Sequence, residues 1–193
     1  MNIIPKAVAL MEKQIAVIPM LVSLYANFYS EVVNNEISLA GITADDRVLN
    51  IGCGGIPFTS ILIARQTGAK VWAVDRDSEA VNVARRCIEK TGLHRLIAVE
   101  HYNGVDPLPF DYSVAIVALQ VEPKKEVLDN LMQNGIPGAK IIIRRPRPEL
   151  SHQYDLLPLT PRPEALTAQK QVTFDSSVLY RVTDSPAEVS SCF

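Results

Sequence analysis

The sequence predicts an α/β fold: a doubly wound, mostly parallel sheet with helices on both faces and a short helical region in front. Three observations carry that prediction. Short apolar runs read as buried strands and alternate with stretches of helical period. Short turns separate them, which suits parallel strands joined by crossover helices. Two apolar runs near the end have no helix between them, which predicts an antiparallel edge. The 193-residue length suits one domain with a full core.

Taken in order, residues 6–40 read as two helices. Ile15, Ile18, Leu21 and Val22 fall at helical spacing, as do Phe28, Val32 and Val33, with Pro19 placed to kink or split the region and Gly41 near its end. Arg47–Gly52 is the first strand. Pro57–Gln66 is a helix with proline in its first turn, where a missing N–H costs nothing. Lys70–Asp75 is the second strand. Ser78–Thr91 is a helix with Ser78 as N-cap, Asp77 being also well placed for it, and Gly92 as its stop. Leu96–Glu100 is the third strand, Ser113–Leu119 the fourth, Lys124–Gln133 a helix and Ala139–Arg144 the fifth strand. The proline-rich 145–163 segment reads as an irregular connection. Gln171–Phe174 and Ser177–Val182 read as a closing hairpin around Asp175-Ser176, and 184–193 as a loose tail. The resulting organisation is an N-terminal helical cap over 1–46, a nucleoside-binding domain over 47–182 and a tail over 183–193.

Composition removes several classes of function. With 48% apolar and 21% charged residues and a net charge near −2, the chain has no global attraction for nucleic acid or acidic membranes. Arg144, Arg145 and Arg147 form one short basic cluster, not a stripe with interleaved aromatics, so RNA is disfavoured. The stretch 7–26 is interrupted by Glu12, Lys13 and Pro19, which argues against a signal peptide or a membrane span. Cys53, Cys87 and Cys192 make no C-x-x-C pair and no closed disulfide framework, so a reducing cytoplasm is the expected location. His94, His101 and His152 lack metal-ligand spacing, and no metal is expected.

The chemistry is concentrated in two places. Gly52-Cys53-Gly54-Gly55 follows the first strand and leads into a helix; Asp75 ends the next strand, 23 positions after Gly52. In a doubly wound sheet both lie at the carboxyl ends of adjacent strands, where ligands bind. Glycines let the backbone approach a ligand, and a carboxylate about 20 residues on can hold a ribose diol. The dinucleotide fingerprint requires a third glycine where Pro57 stands, and proline would remove an N–H from the pyrophosphate site. S-adenosylmethionine (SAM) carries no phosphate and fits better. The expected fold is therefore the Rossmann-like SAM-dependent methyltransferase fold, of the seven-stranded type. Cys53 is read as a small filler within the turn. Arg76 and the Asn103-Gly104 turn after the third strand fall where adenine-edge contacts would lie; each is equally readable as ordinary surface or turn chemistry.

The glycine turn, Gly52-Cys-Gly-Gly-Ile-Pro-Phe-Thr59, resembles that of nicotianamine synthase and the related opine-metallophore synthases. So do Val117-Ala118-Leu119 with Glu122-Pro123-Lys124-Lys125, Pro137-Gly138-Ala139 leading to Arg144, Tyr154 ten residues later, Ser176-Ser177-Val178-Leu179, and upstream Tyr29 with Asn35-Glu36. The likeness spans about residues 25–182. It implies a transferase that moves the 3-amino-3-carboxypropyl group of SAM to an amine or amino-acid acceptor. It also implies cofactor contacts from Gly52, Cys53, Gly54, Gly55, Asp75, Arg76, Asn103, Gly104, Ala118 and Leu119. Four residues are candidates for the reaction: Arg144 to hold a carboxylate, Tyr29 to orient amine or SAM, Glu122 to accept a proton, and Tyr154 to line the cleft. Each has a structural alternative: a strand-end charge, an aromatic anchor, a helix-start acid, a pin for the proline-rich loop.

The family carries a larger helical region, with its catalytic glutamate, ahead of the glycine strand. Here 46 residues precede it, and Glu12 is the one early acid, at a spacing that does not match. The acceptor site is then open, completed by a second subunit in a homodimer, or altered in specificity. Small-molecule methyl transfer on the same fold and SAM binding without catalysis are the competing expectations. DNA adenine and protein glutamine targets are disfavoured, since Ala118-Leu119-Gln120-Val121 replaces the Asn/Asp-Pro-Pro-aromatic turn such enzymes use.

Overall fold

The computed structural model describes residues 19–109, 111–158 and 160–183. Helix α1 (Pro19–Ala40) leads into β1 (Arg47–Ile51), α2 (Phe58–Thr67), β2 (Lys70–Asp75), α3 (Ser78–Thr91), β3 (Ile97–His101), β4 (Val114–Val117), α4 (Lys124–Asn134) and β5 (Lys140–Pro146). A short 3-10 turn (Pro148–Gln153), β6 (Ala165–Ala168) and β7 (Phe174–Arg181) complete the chain. The seven strands lie in the order β3-β2-β1-β4-β5-β7-β6. β1 to β5 are parallel; β7 runs antiparallel to β5, and β6 antiparallel to β7.

Strand alternation sorts the core into two layers. Val48, Val71, Ile116, Ile142 and Leu179 face a cluster with Val33, Ala40, Ile61, Ile63, Val81, Ala84 and Ile88, from α1, α2 and α3. Leu49, Ile51, Ala115, Val117, Ile141 and Ile143 face α4 through Val127, Leu128 and Leu131. Strands buried on both faces explain why β1, β4 and β5 read as near-continuous apolar runs.

Three expectations need correction. The closing hairpin is formed by β6 and β7, paired Ala165↔Leu179 through Ala168↔Ser176, and not by Gln171–Phe174 with Ser177–Val182. Asp175-Ser176 does not turn the chain; it lies within β7, opposite Arg145. Loop 169–173 makes the turn, anchored where the amide of Gln169 donates to the Asp175 carbonyl. Helix α3 is capped by Asp77, whose carboxylate accepts from Glu79 and Ala80, because the extended residue just before the first turn is the one that reaches those amides. The fourth strand is shorter than expected: after Val117 the chain leaves the ladder for a turn over 118–121. Gly92 does stop α3 in a left-handed conformation, and Pro57 sits at the N-cap of α2. The expected first helix from residue 6, Glu12 and the loose tail fall outside the described residues. Among the described residues no helix is long and apolar enough to cross a membrane.

Candidate functional site

The glycine turn is held by its own backbone and by Asp75. The amides of Gly52 and Cys53 both donate to the Val74 carbonyl of β2. Gly54 donates its N–H to Asp75 Oδ2 at 2.8 Å, and Asp77 donates to Oδ1 at 2.9 Å. The two motif elements thus meet, with the carboxylate orienting the turn. Gly52 has φ +78°, and a Cβ there would lie 2.6 Å from Val121 Cγ2. Only glycine fits, because both the backbone angle and the space demand it. Gly55 serves packing, since a side chain there would press on Val83 of α3 at 3.2 Å.

Beside the turn opens a cavity lined by Tyr29, Asn50, Gly52, Cys53, Ile56, Phe58, Thr59, Ala118, Gln120 and Arg144. It runs along the carboxyl ends of β1, β4 and β5, on the side away from Asp75. Its far end is a buried polar cluster. Arg144 Nε and Nη2 donate to the two oxygens of Glu36 at 2.8 Å each, and Nη2 also donates to Thr59 Oγ1 at 2.9 Å. Ser177 donates to Glu36 Oε1, and Gln169 donates to Ser177 while its side-chain carbonyl accepts from Asn35. The Arg144 guanidinium lies 5.4 Å from the Tyr29 ring centre and 5.7 Å from that of Phe174. Glu36 is fully buried and Arg144 nearly so. This network fixes α1 against β5 and β7.

The sequence-predicted residues distribute unevenly. Tyr29, Gly52, Cys53, Ala118 and Arg144 share the cavity wall. Gly54 and Asp75 adjoin it. Arg76 Nη1 donates to the Glu122 carbonyl at 2.9 Å, spanning from the end of β2 to the segment after β4. Glu122 and Tyr154 are outside the lining. Tyr154 is buried with Val32, Leu119 and Phe174. Burial, helped by the nearby Tyr29 phenol, pushes the Tyr154 phenol up, so at neutral pH it can donate but not act as a base. Asn103-Gly104 forms a turn whose Gly104 carbonyl accepts from Asn130 of α4, and a Cβ on Gly104 would meet Ile51 and Val127 at 3.1 Å. Arg145 donates to Ser176 and Arg147 to the Gln171 carbonyl, so neither shares the role of Arg144.

Asn50, Thr59, Gln120 and Glu36 were missed as site residues. A signal existed for Asn50, a polar side chain inside the apolar strand Val48-Leu49-Asn50-Ile51. It is buried, accepting from Ser60 at 2.9 Å and donating to the Ile116 carbonyl. Among the described residues, no group of acidic, histidine or cysteine side chains could hold a metal ion.

The strand order, the positive-φ glycine turn after β1 and the acid ending β2 define the Rossmann-like fold of the SAM-dependent methyltransferases. Within that class the chain is similar to amino-acid aminobutanoyltransferases. It is 31% identical over 124 residues to an L-histidine 2-aminobutanoyltransferase of Pseudomonas aeruginosa, covering 62% of this chain and 46% of that protein. It is 27% identical over 121 residues to the enzyme of the same name from Yersinia pestis, covering 62% and 45%. A protein-L-isoaspartate O-methyltransferase of Aeropyrum pernix is 28% identical over 124 residues, covering 62% and 46%. The chain therefore spans about half the length of the curated relatives it matches. Among solved structures, a variant of the nicotianamine synthase MtNAS in complex with S-adenosylmethionine superposes with a TM-score of 0.78 at 22% identity, over 91% of this chain and 72% of that one. An RNA methyltransferase from Salinibacter ruber, in complex with S-adenosyl-L-homocysteine, superposes at 0.65 with 17% identity, over 82% and 94%. No family model matches the sequence.

Proposed function

We propose that this chain binds S-adenosylmethionine across the ends of β2, β1, β4 and β5 and transfers its 3-amino-3-carboxypropyl group to an amine or amino-acid acceptor. The observation that carries the reading is the position of the cavity: it continues from the glycine turn away from Asp75, toward Tyr29, Thr59 and Arg144. With the ribose diol on Asp75, the methionine chain extends into that cavity, and the acceptor meets the carbon beside sulfur. The acceptor nitrogen then forms a bond to that carbon, the C–S bond breaks, its electron pair stays on sulfur, and methylthioadenosine leaves. The attacking amine must be neutral and in line at about 3–3.5 Å.

In this reading Tyr29 and Gln120 orient the reacting groups. Arg144 acts less as a free anion clamp than as a fixed wall, because Glu36 already occupies two of its donor positions. Proton removal from the acceptor has no obvious owner in the cavity: Glu36 is committed to Arg144 and Ser177, and Glu122 lies outside the lining. Water or a group from a second chain in a homodimer would serve, with α1 bordering the acceptor space through Tyr29. The histidine-modifying relatives favour an amino acid as acceptor, and the free-thiol pattern favours a reducing cytoplasm. Methyl transfer is the second reading, favoured by the likeness to the isoaspartate methyltransferase.

Purified protein incubated with SAM and a pool of amino acids separates the readings. Methylthioadenosine as the nucleoside product supports aminocarboxypropyl transfer. S-adenosylhomocysteine supports methylation and overturns the proposal, and retained SAM with neither product leaves only binding.

A further inference from the structure

Lys124, the first residue of α4, is wholly buried, and the two hydrogen-bond partners of its ammonium among the described residues are neutral carbonyls. Nζ donates to the Leu119 carbonyl at 2.7 Å and to the Val121 carbonyl at 3.1 Å. This is an unfavourable place for a cation. Burial removes its water, and the N-terminal end of a helix carries partial positive charge. The helix start itself is capped from a distance: Asp155, beyond the 3-10 turn, accepts the Lys124 backbone N–H, since Pro123 has no side chain that could.

The two carbonyls belong to the turn that forms one wall of the cavity. Ala118 and Gln120 face the cavity, and Val121 Cγ2 sits where a side chain on Gly52 would be. Arg76 holds the same segment from the other side through the Glu122 carbonyl. Beyond Ala118, whose amide still donates to the Ile51 carbonyl of β1, the segment has left the sheet ladder, so side chains supply bonds that the sheet no longer gives. Lys124 is the one that reaches both Leu119 and Val121.

We propose that Lys124 is a positioning residue of the SAM site: its ammonium locks the 118–121 turn against Gly52 and thereby sets cofactor affinity. The inference rests on the SAM reading above but is separable from it. Burial holds the Lys124 ammonium down to about 8, opposed by the Asp155 and Glu122 carboxylates. Among the described residues, those two acids are the charged groups that act on it. A neutral amine still donates two hydrogen bonds, but charge-assisted ones are roughly twice as strong. Loss of the proton therefore loosens the turn without releasing it.

The test compares wild type with Lys124→Met, confirmed as folded by circular dichroism, using hydrogen exchange of residues 118–122 and SAM titration. In the variant, exchange of that segment is expected to rise at least tenfold while β1 stays protected, and the SAM Kd to rise at least tenfold. Between pH 7 and 9.5 the SAM Kd of wild type should weaken several-fold more than that of the variant, since the SAM α-amino group titrates alike in both and only wild type carries the Lys124 ammonium. A folded variant that binds SAM within twofold of wild type makes Lys124 merely structural and overturns the proposal. If Lys124→Met does not fold, wild-type exchange of the 118–122 segment across pH 8, corrected for intrinsic rates, decides, and a pH-independent value overturns it. If wild type binds no SAM, the cofactor reading fails by itself. The positioning role then stands or falls on exchange in the 118–122 segment: faster in Lys124→Met supports it, unchanged overturns it. Where neither variant folding nor SAM binding is obtained, wild-type exchange of that segment above pH 8, corrected for intrinsic rates, decides in the same way.

Discussion

Replacing Glu36 by alanine is the perturbation with the largest expected effect away from the glycine turn. The carboxylate accepts three hydrogen bonds, from Arg144 Nε, Arg144 Nη2 and Ser177 Oγ, each at 2.8 Å. Both charges are out of water, with side-chain exposures of 4% for Arg144 and 0% for Glu36. Removing one member of such a pair leaves an uncompensated buried charge and costs about 3–5 kcal/mol. Against a typical stability of about 5–15 kcal/mol that is a large fraction. For a chain of this size each kcal/mol moves Tm by about 2–4 °C, so a loss of about 6–20 °C is expected. Urea unfolding followed by the single tryptophan, Trp72, gives the free energy directly. The companion Glu36→Leu/Arg144→Met double variant removes both charges, and should lose less than the sum of its two single variants. A cost below about 1 kcal/mol for Glu36→Ala, or strict additivity in the cycle, would refute the view that this pair clamps α1 to the sheet.

Other outcomes follow from single contacts. Gly52→Ala forces an L-residue to φ +78° and a methyl group against Val121; it should abolish SAM retention and lower Tm, and a wild-type melt would contradict this. Asp75→Ala removes the acceptor of the Gly54 and Asp77 amides. It should weaken SAM binding by about 1–3 kcal/mol in calorimetry, and unchanged affinity would count against the ribose placement. Burial raises the Tyr112 phenol above its usual value of 10.0. The unfolded chain therefore loses that proton first, so the group's contribution is intact below about pH 10 and is lost as pH rises. Tyr112→Phe should flatten stability between about pH 9.5 and 11, and an unaltered pH slope would speak against it. Gly135→Ala would press a methyl onto the Tyr112 hydroxyl, 2.7 Å from the Leu131 carbonyl and 2.9 Å from Val182, and should lower Tm with no direct effect on the cavity.

The sequence made the parallel part of the sheet legible because buried strands, proline starts and glycine stops are local signals. β2 and α3 could be bounded to the residue. The edge was harder. β6, Ala165–Ala168, is short and largely exposed and carries neither alternation nor a long apolar run; Asp175-Ser176 looks like a turn, but its neighbours continue the ladder to β5. The same contrast holds in the site. Gly52, Gly54 and Asp75 announce themselves by spacing. Glu36 and Arg144 lie 108 positions apart, and only tertiary packing discloses that each satisfies the other. Lys124 in a Glu-Pro-Lys-Lys stretch looks solvated; its burial depends on how the turn after β4 folds back over the helix start.

The Glu36–Arg144 pair has an evolutionary corollary. A lineage reshaping this chamber cannot alter one of these two positions alone without crossing an unstable intermediate, so that corner drifts only by coordinated exchange. Gln120, half-buried on the connecting segment after β4, carries no such constraint, and new selectivity would first be written there.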